Sequence, residues 1–165
     1  MKTDAVDNIM DQWSEERPEL DSASLGVVIR VMTLYRSFHR DATRALEPLG
    51  LELFEYDVLS ALRRQGEPFA LAATGLARAT GLSAGAMTNR IDRLEERGLV
   101  RRQADKTDRR SVIVRLTREG RRVIDEAIQV RLVAARDGLK DLSKSERKQL
   151  ADLLRIVVLG NPDPN

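Results

Sequence analysis

The side chains of this sequence that are suited to chemistry are mainly the hydrogen-bonding groups of arginine, asparagine and threonine, and the usual side chains of catalysis are scarce. The 165 residues include no cysteine and a single histidine, His39. These numbers argue against a disulfide, a zinc site of Cys and His ligands, and a histidine-based catalytic triad. The carboxylates form no recognisable inward pair. The sequence therefore predicts a protein that is not an enzyme and has no cofactor and no metal site.

One predicted helix presents a row of hydrogen-bonding side chains on its outward face. In the segment that begins at Ser83, apolar residues recur every three or four positions and are expected to face the core. The opposite face carries Thr88, which can contact thymine or a phosphate, Asn89, which can pair with adenine, and Arg93, which can reach guanine or a phosphate. The helix N-terminus is itself a phosphate site. The expected DNA contacts of this helix are Ser83, Ala84, Gly85, Thr88, Asn89 and Arg93.

A polar segment between two predicted strands offers a second contact. Residues 99–104 and 111–116 are rich in β-branched residues, and the polar residues 105–110 between them predict a hairpin tip. A narrow ribbon that ends in arginine can enter an AT-rich minor groove, where the negative potential is strongest. The expected contacts of this tip are Lys106, Arg109 and Arg110, with Arg109 assigned to the minor groove.

Positive charge is concentrated in this part of the chain. The whole sequence has a net charge of only +2, but residues 83–121 alone carry +5 and residues 1–21 carry −5. Nearly all cations of the first segment are arginines, which suit bidentate contacts to phosphate and guanine better than lysines do. Charge alone would also fit an ordinary solvated face. Together with the helix and the hairpin, it predicts double-stranded DNA as a partner.

The surrounding sequence predicts one mainly helical domain, residues 1–165, with a small β-wing. A short helix, a Gly-containing turn, a second helix and a two-stranded wing follow one another, which is the order of a winged helix-turn-helix. No apolar run reaches the length of a membrane span and no signal peptide opens the chain, so a cytoplasmic protein is expected. The predicted parts are an extra N-terminal helix over 3–16, dimerisation helices over 22–49 and 117–160, and a winged helix-turn-helix lobe over 53–116 in which 67–71 form an extended connector.

These motifs resemble those of the MarR family of bacterial regulators, over about residues 25–160. The resemblance implies a homodimer, formed by the N- and C-terminal helices, that binds a pseudo-palindrome through two adjacent major grooves. The apolar run 153–159 independently favours a dimer, because it would be an exposed patch in a monomer. The matching motifs are GLSAGAMTNRIDRLEERGLV at 81–100, DKTDRR at 105–110 and LTREG at 116–120.

A finer likeness concerns the urate-responsive branch of the family. That branch has an extra N-terminal helix with a Trp, an Asp on the helix that opens the DNA-binding lobe, and two Arg, one in the recognition helix and one just after it. The corresponding residues are Trp13, Asp57, Arg90 and Arg102. The likeness implies a repressor released by a small anionic effector, such as urate, another purine or an aromatic carboxylate, that stacks on Trp13 and pairs with arginine. Asp57 is expected to pair with Arg102 in the empty protein.

Two other interpretations remain open at this point. In the first, Trp13 anchors a helix at a dimer interface and Asp57 makes a structural ion pair. The chain is then a winged-helix regulator without a small-molecule ligand, and its terminal helices serve only dimerisation. In the second, it is a scaffold whose winged domain binds protein in place of DNA. A steep salt dependence of duplex binding would exclude the scaffold.

Overall fold

The computed structural model describes residues 3–105 and 111–161, which form seven α-helices, one short 3-10 helix and one sheet of three strands. This architecture confirms the predicted fold class, which is mainly helical with a small β-wing. Within the described residues, no helix is long and apolar enough to cross a membrane. The elements are α1 (Ala5–Glu16), α2 (Ala23–Leu46), the 3-10 helix (Glu47–Leu49), α3 (Leu53–Arg63), β1 (Ala70–Ala72), α4 (Ala73–Thr80), α5 (Ala84–Glu96), β2 (Val100–Ala104), β3 (Val112–Leu116), α6 (Arg118–Gly138) and α7 (Lys144–Gly160).

The chain divides into two compact units, and the first ends at Asp41 within α2. In this first unit an ion-pair cluster fastens α1 to α2. The Arg30 guanidinium donates to Asp4 at 2.9 Å and to Asp7 at 2.6 Å. Through this hydrogen bond, Arg30 holds the pKa of the Asp4 carboxyl below its usual value. Close packing supports the same contact, because a Cβ on Gly26 would lie 3.1 Å from the Met10 sulfur.

The second unit begins at Ala42 and contains the hydrophobic core. The inward face predicted for α5 is confirmed, since Met87, Ile91 and Leu94 are buried. Leu59 of α3 and Ile124 of α6 lie in the same core cluster. The apolar side of α5 is thus fixed against its neighbours, and its other side is left for solvent or a partner.

The wing has one strand more than the sequence predicts. The sheet order is β1-β3-β2, with antiparallel pairing throughout. Val114 is opposite Leu71 of β1 on one side and Arg102 of β2 on the other. Residues 67–71 were expected to be an extended connector, but Ala70–Ala72 is a strand. Three residues are too few to show the alternation of a strand, and hydrogen bonding to β3 alone defines this one.

Capping residues set the starts of three helices, and two of these helices, α5 and α6, begin where the sequence predicts. The Ser83 hydroxyl accepts from the Ala86 amide at the start of α5, and Ser143 and Glu146 form a capping box at the start of α7. Thr117 accepts from the Gly120 amide at 2.9 Å and donates its hydroxyl to the Gly98 carbonyl at 2.7 Å. Thr117 therefore both begins α6 and ties it to the segment that leads into β2.

The largest sets of exposed apolar side chains in the single chain are on α2 and α7. α7 has no buried residue, and the exposed fractions of its exposed large apolar residues run from 41% for Leu154 to 74% for Leu159. Burial of such surface against a partner is favourable at about 25 cal/mol per Å². On α2 the exposed apolar residues are Leu25, Val27, Val28, Val31, Met32, Leu34, Tyr35 and Phe38, and on α7 they are Leu153, Leu154, Ile156, Val157, Val158 and Leu159.

Candidate nucleic-acid interface

The N-terminal half of α5 is an exposed, hydrogen-bonding surface. Ser83, Ala84, Gly85, Thr88 and Asn89 are all exposed. A Cβ on Gly85 would meet nothing within 4 Å, so the backbone here is open to close approach. The Thr88 hydroxyl donates to the Ala84 carbonyl at 3.0 Å, which fixes this side chain along the helix. The predicted contacts of this half of the helix therefore lie together on one accessible surface.

Arg93 lies one turn further along α5, and its guanidinium is directed at the start of α3. Its Nη2 donates to the Glu52 carboxylate at 3.0 Å, and its Cζ lies 5.2 Å from the centre of the Phe54 ring. The side chains of Arg93 and Glu52 are each 57% exposed. Arg93 was expected to point toward DNA, so in the free chain the predicted contact is occupied by an intramolecular partner.

Arg90 of α5 and Arg97, the residue that caps the end of α5, also contact α3. The Arg90 guanidinium lies 4.6 Å from the centre of the Phe54 ring, which makes this ring a shared platform for Arg90 and Arg93. Arg97 donates to the buried carboxylate of Glu55 at 2.5 Å. Glu55 also accepts from the Glu52 amide at 2.9 Å. The recognition helix is therefore positioned on α3 by arginine contacts in addition to its buried apolar face.

Arg102 connects the wing to α5. From β2, its guanidinium pairs with Asp92 at 2.6 Å and Glu95 at 2.9 Å, and it donates to the Thr88 carbonyl at 3.2 Å. Its backbone amide also donates to Glu95 at 2.7 Å. The sequence led us to expect Asp57 as the partner and did not anticipate these two carboxylates. Arg102 is bonded to three positions along the recognition helix, so its displacement would act directly on that helix.

The remaining predicted site residues lie elsewhere. Trp13 is on α1, in the first unit, and is 43% exposed. Asp57 is exposed on α3, in the second unit together with Arg90 and Arg102. Arg90 contacts the Phe54 ring, and Arg102 pairs with carboxylates of α5. The predicted wing contacts Lys106, Arg109 and Arg110 lie outside the described residues.

Sequence reasoning missed four residues of this interface. Glu52, Phe54, Asp92 and Glu95 were given no role in the site. The spacing of Asp92 and Glu95, three positions apart, does place them on one helix face. No local signal shows that a guanidinium from the next strand would reach them, because that contact depends on the return of the chain through β2.

Comparison with known proteins extends the likeness over most of the chain. The model of the MarR family matches residues 49–111. The HTH-type transcriptional regulator PecS of Dickeya dadantii (strain 3937) is 33% identical over 149 residues, which are 90% of each chain. The similarity to PecS therefore reaches well beyond the segment matched by the family model.

Two solved structures are similar in fold. The first is Sco3205, a MarR family transcriptional regulator from Streptomyces coelicolor, in complex with DNA (TM-score 0.78, 24% identity, 87% of this chain and 91% of that chain). The second is Bordetella bronchiseptica BpsR, whose DNA binding is regulated by 6-hydroxynicotinic acid (TM-score 0.69, 27% identity, 81% of this chain and 98% of that chain).

Proposed function

This chain belongs to the MarR family of DNA-binding transcriptional regulators, and we propose that it is a homodimeric repressor of a pseudo-palindromic operator, released by a small anionic ligand. Like its relatives, it is a transcriptional regulator and not an enzyme. The observation that carries the proposal is the exposed N-terminal surface of α5, capped by Ser83 and held from behind by a buried apolar face. A surface of this kind suits the major groove.

In the proposed complex, each recognition helix enters a major groove and each wing follows the adjacent minor groove. Small side chains at the start of α5 allow its backbone amides to approach a phosphate. Asn89 reads adenine and Thr88 contacts thymine or a phosphate. The proposed contacts are Ser83, Ala84, Gly85, Thr88, Asn89 and Arg93 of α5, and Lys106, Arg109 and Arg110 of the wing tip.

The proposed dimer is supported by the exposed apolar faces of α2 and α7. A second copy that covered them would remove a large apolar surface from water, which is the main driving force for association. In a two-fold dimer the two recognition helices lie about 34–36 Å apart, one turn of DNA. A pseudo-palindromic operator would match this symmetry.

The proposed ligand site uses Trp13, Asp57, Arg90 and Arg102. A flat anion is suited to these side chains because it can stack on the indole and pair with a guanidinium. The regulation of BpsR by 6-hydroxynicotinic acid, an aromatic carboxylic acid, supports a ligand of this chemical class. Urate and other purines are the alternative members of the class.

Arg102 supplies a mechanism for release. An anion that takes its guanidinium must compete with Asp92 and Glu95, which hold it on α5. Loss of these pairs would weaken the attachment of β2 to the recognition helix and disturb Thr88, whose carbonyl accepts from the same guanidinium. The coupling free energy between ligand binding and DNA binding is commonly about 1–3 kcal/mol, and bound DNA lowers the affinity for the ligand by the same factor as the ligand lowers the affinity for DNA.

Fluorescence of Trp13 tests the ligand site in the absence of DNA, because the chain has a single tryptophan. Addition of urate to the full-length protein is expected to quench this emission with saturation. Arg102→Ala should weaken urate binding about tenfold, the usual loss for a charge-assisted hydrogen bond. Trp13→Phe should keep DNA affinity and lose the response of the DNA complex to urate.

Arg101→Ala is the matched control, since Arg101 is the exposed neighbour of Arg102 on the same strand. It should leave urate binding within about twofold of wild type. Absence of saturable quenching in a protein that binds duplex DNA would favour the regulator without a ligand. A loss of DNA binding in Trp13→Phe would make the tryptophan structural.

A further inference from the structure

The contact between Arg93 and Glu52 has the chemistry of a phosphate contact made within the chain. Two oxygens of a carboxylate offer a guanidinium the same kind of charge and hydrogen-bond acceptors as a phosphate does. The Glu52 carboxylate accepts a hydrogen bond from Arg93 Nη2 at 3.0 Å, and the Arg93 guanidinium lies over the Phe54 ring. The positive charge of Arg93 is therefore already paired with a carboxylate in the free protein.

The strength of the pair suits it to exchange. Both side chains are more than half exposed, and exposed ion pairs contribute little to folding because water and salt screen them. The neighbouring pair of Arg97 with Glu55 differs, because the Glu55 side chain is only 2% exposed. Arg97 is thus bound to a buried carboxylate as part of the fold, and Arg93 is bound to a carboxylate that solvent or a ligand can reach.

We propose that Glu52 competes with the DNA backbone for Arg93 and so sets the affinity of the repressor for DNA. On binding, Arg93 leaves the Glu52 carboxylate for a phosphate of the operator, and its loss of one anion is offset by its gain of another. This inference rests on the proposed function, in which Arg93 contacts DNA. The Arg93–Glu52 pair must break before Arg93 can bind a phosphate, so the pair lowers the affinity for DNA. The effect is the same on every duplex, because a phosphate contact carries no sequence information.

The Phe54 ring has a separate part in this exchange. It carries Arg90 at 4.6 Å as well as Arg93 at 5.2 Å, so the ring keeps a cationic partner when Arg93 departs. Arg90 and Arg97 continue to hold α5 on α3 in that state. Exchange of Arg93 therefore does not require the recognition helix to leave its position.

The test is a double-mutant cycle measured by fluorescence anisotropy on the labelled duplex upstream of the gene, at constant salt. Glu52→Gln should tighten binding about threefold to fivefold, the range of an exposed ion pair. Arg93→Ala should weaken binding by a similar factor. In the Arg93→Ala background, Glu52→Gln should have no further effect, because the pair that it breaks is already absent.

Glu96→Gln is the matched control, since it removes one negative charge from an exposed position at the end of α5. It should change affinity less than twofold. If Glu52→Gln also tightened binding in the Arg93→Ala background, the effect would come from repulsion between the Glu52 carboxylate and DNA. That result would overturn the exchange. Weaker binding by Glu52→Gln would mean that Glu52 positions Arg93 for DNA, which also overturns it. An Arg93→Ala protein with wild-type affinity would instead refute the proposed Arg93 contact.

Discussion

Replacement of Gly120 by alanine is expected to destabilise the fold by about 3 kcal/mol or more. A Cβ at this position would lie 1.9 Å from the Leu99 carbonyl oxygen and 2.8 Å from its carbon. That carbonyl accepts from the Thr117 amide at 3.1 Å, and the Thr117 hydroxyl is bonded to the adjoining Gly98 carbonyl. The backbone of α6 fixes the position of the Cβ, and the Leu99 carbonyl is itself backbone. The clash is therefore relieved only if α6 moves away from the segment that leads into β2.

Urea unfolding measures the effect, and Gly85→Ala is the control with the opposite sign. A Cβ on Gly85 would meet nothing within 4 Å, so alanine there should gain stability by up to about 1 kcal/mol through its helix propensity. The same chemical change thus has opposite predicted effects at the starts of α6 and α5. A Gly120→Ala protein as stable as wild type would show that α6 and β2 do not approach this closely.

A glutamate in place of Ile156 is expected to abolish dimerisation and, with it, tight operator binding. Ile156 is 68% exposed in the single chain and lies in the apolar half of α7. A two-fold interface that contained this residue would bury two unpaired carboxylates, at about 3–5 kcal/mol for each uncompensated charge. A monomer reaches only one half-site, so operator affinity should fall by roughly a hundredfold or more.

Light scattering and operator anisotropy together read out this change. Arg155→Gln is the control, because it alters the charge of each chain by the same amount on the neighbouring polar position. Arg155 pairs with Asp152 of the same helix at 2.6 Å, and an exposed ion pair of this kind contributes little, so its loss should have little effect on either measurement. A dimeric Ile156→Glu protein with wild-type affinity would exclude this part of α7 from the interface.

Local signals were sufficient to predict most of the DNA-binding lobe. The short helix and the Gly-containing turn of the predicted motif are α4 (Ala73–Thr80) and Gly81, a capping glycine in the left-handed region that ends the helix. The start of α5 at Ser83 and of α6 at Thr117 followed from side chains that accept the first free amides. Helical periodicity identified the buried face of α5, since one period of 3.6 residues separates its inner and outer sides.

What the sequence could not predict depends on contacts between distant segments. β1 is defined by its pairing with β3, which lies more than forty residues further along the chain. The partners of Arg102 and Arg93 come from α5 and from the start of α3, and no local pattern distinguishes these carboxylates from solvated ones. The dimeric state, the ligand and the side chains that touch DNA remain predictions from motif and chemistry.

In the proposed function this chain binds operator DNA and a small anion releases it. Fluorescence anisotropy of the labelled duplex upstream of its own gene, at physiological salt with and without urate, tests this claim most directly. We expect tight binding that weakens steeply with salt, as phosphate contacts require, and dissociation on addition of urate. Tight binding that urate leaves unchanged would contradict the ligand site of Trp13, Asp57, Arg90 and Arg102, and binding without salt dependence would contradict the DNA interface itself.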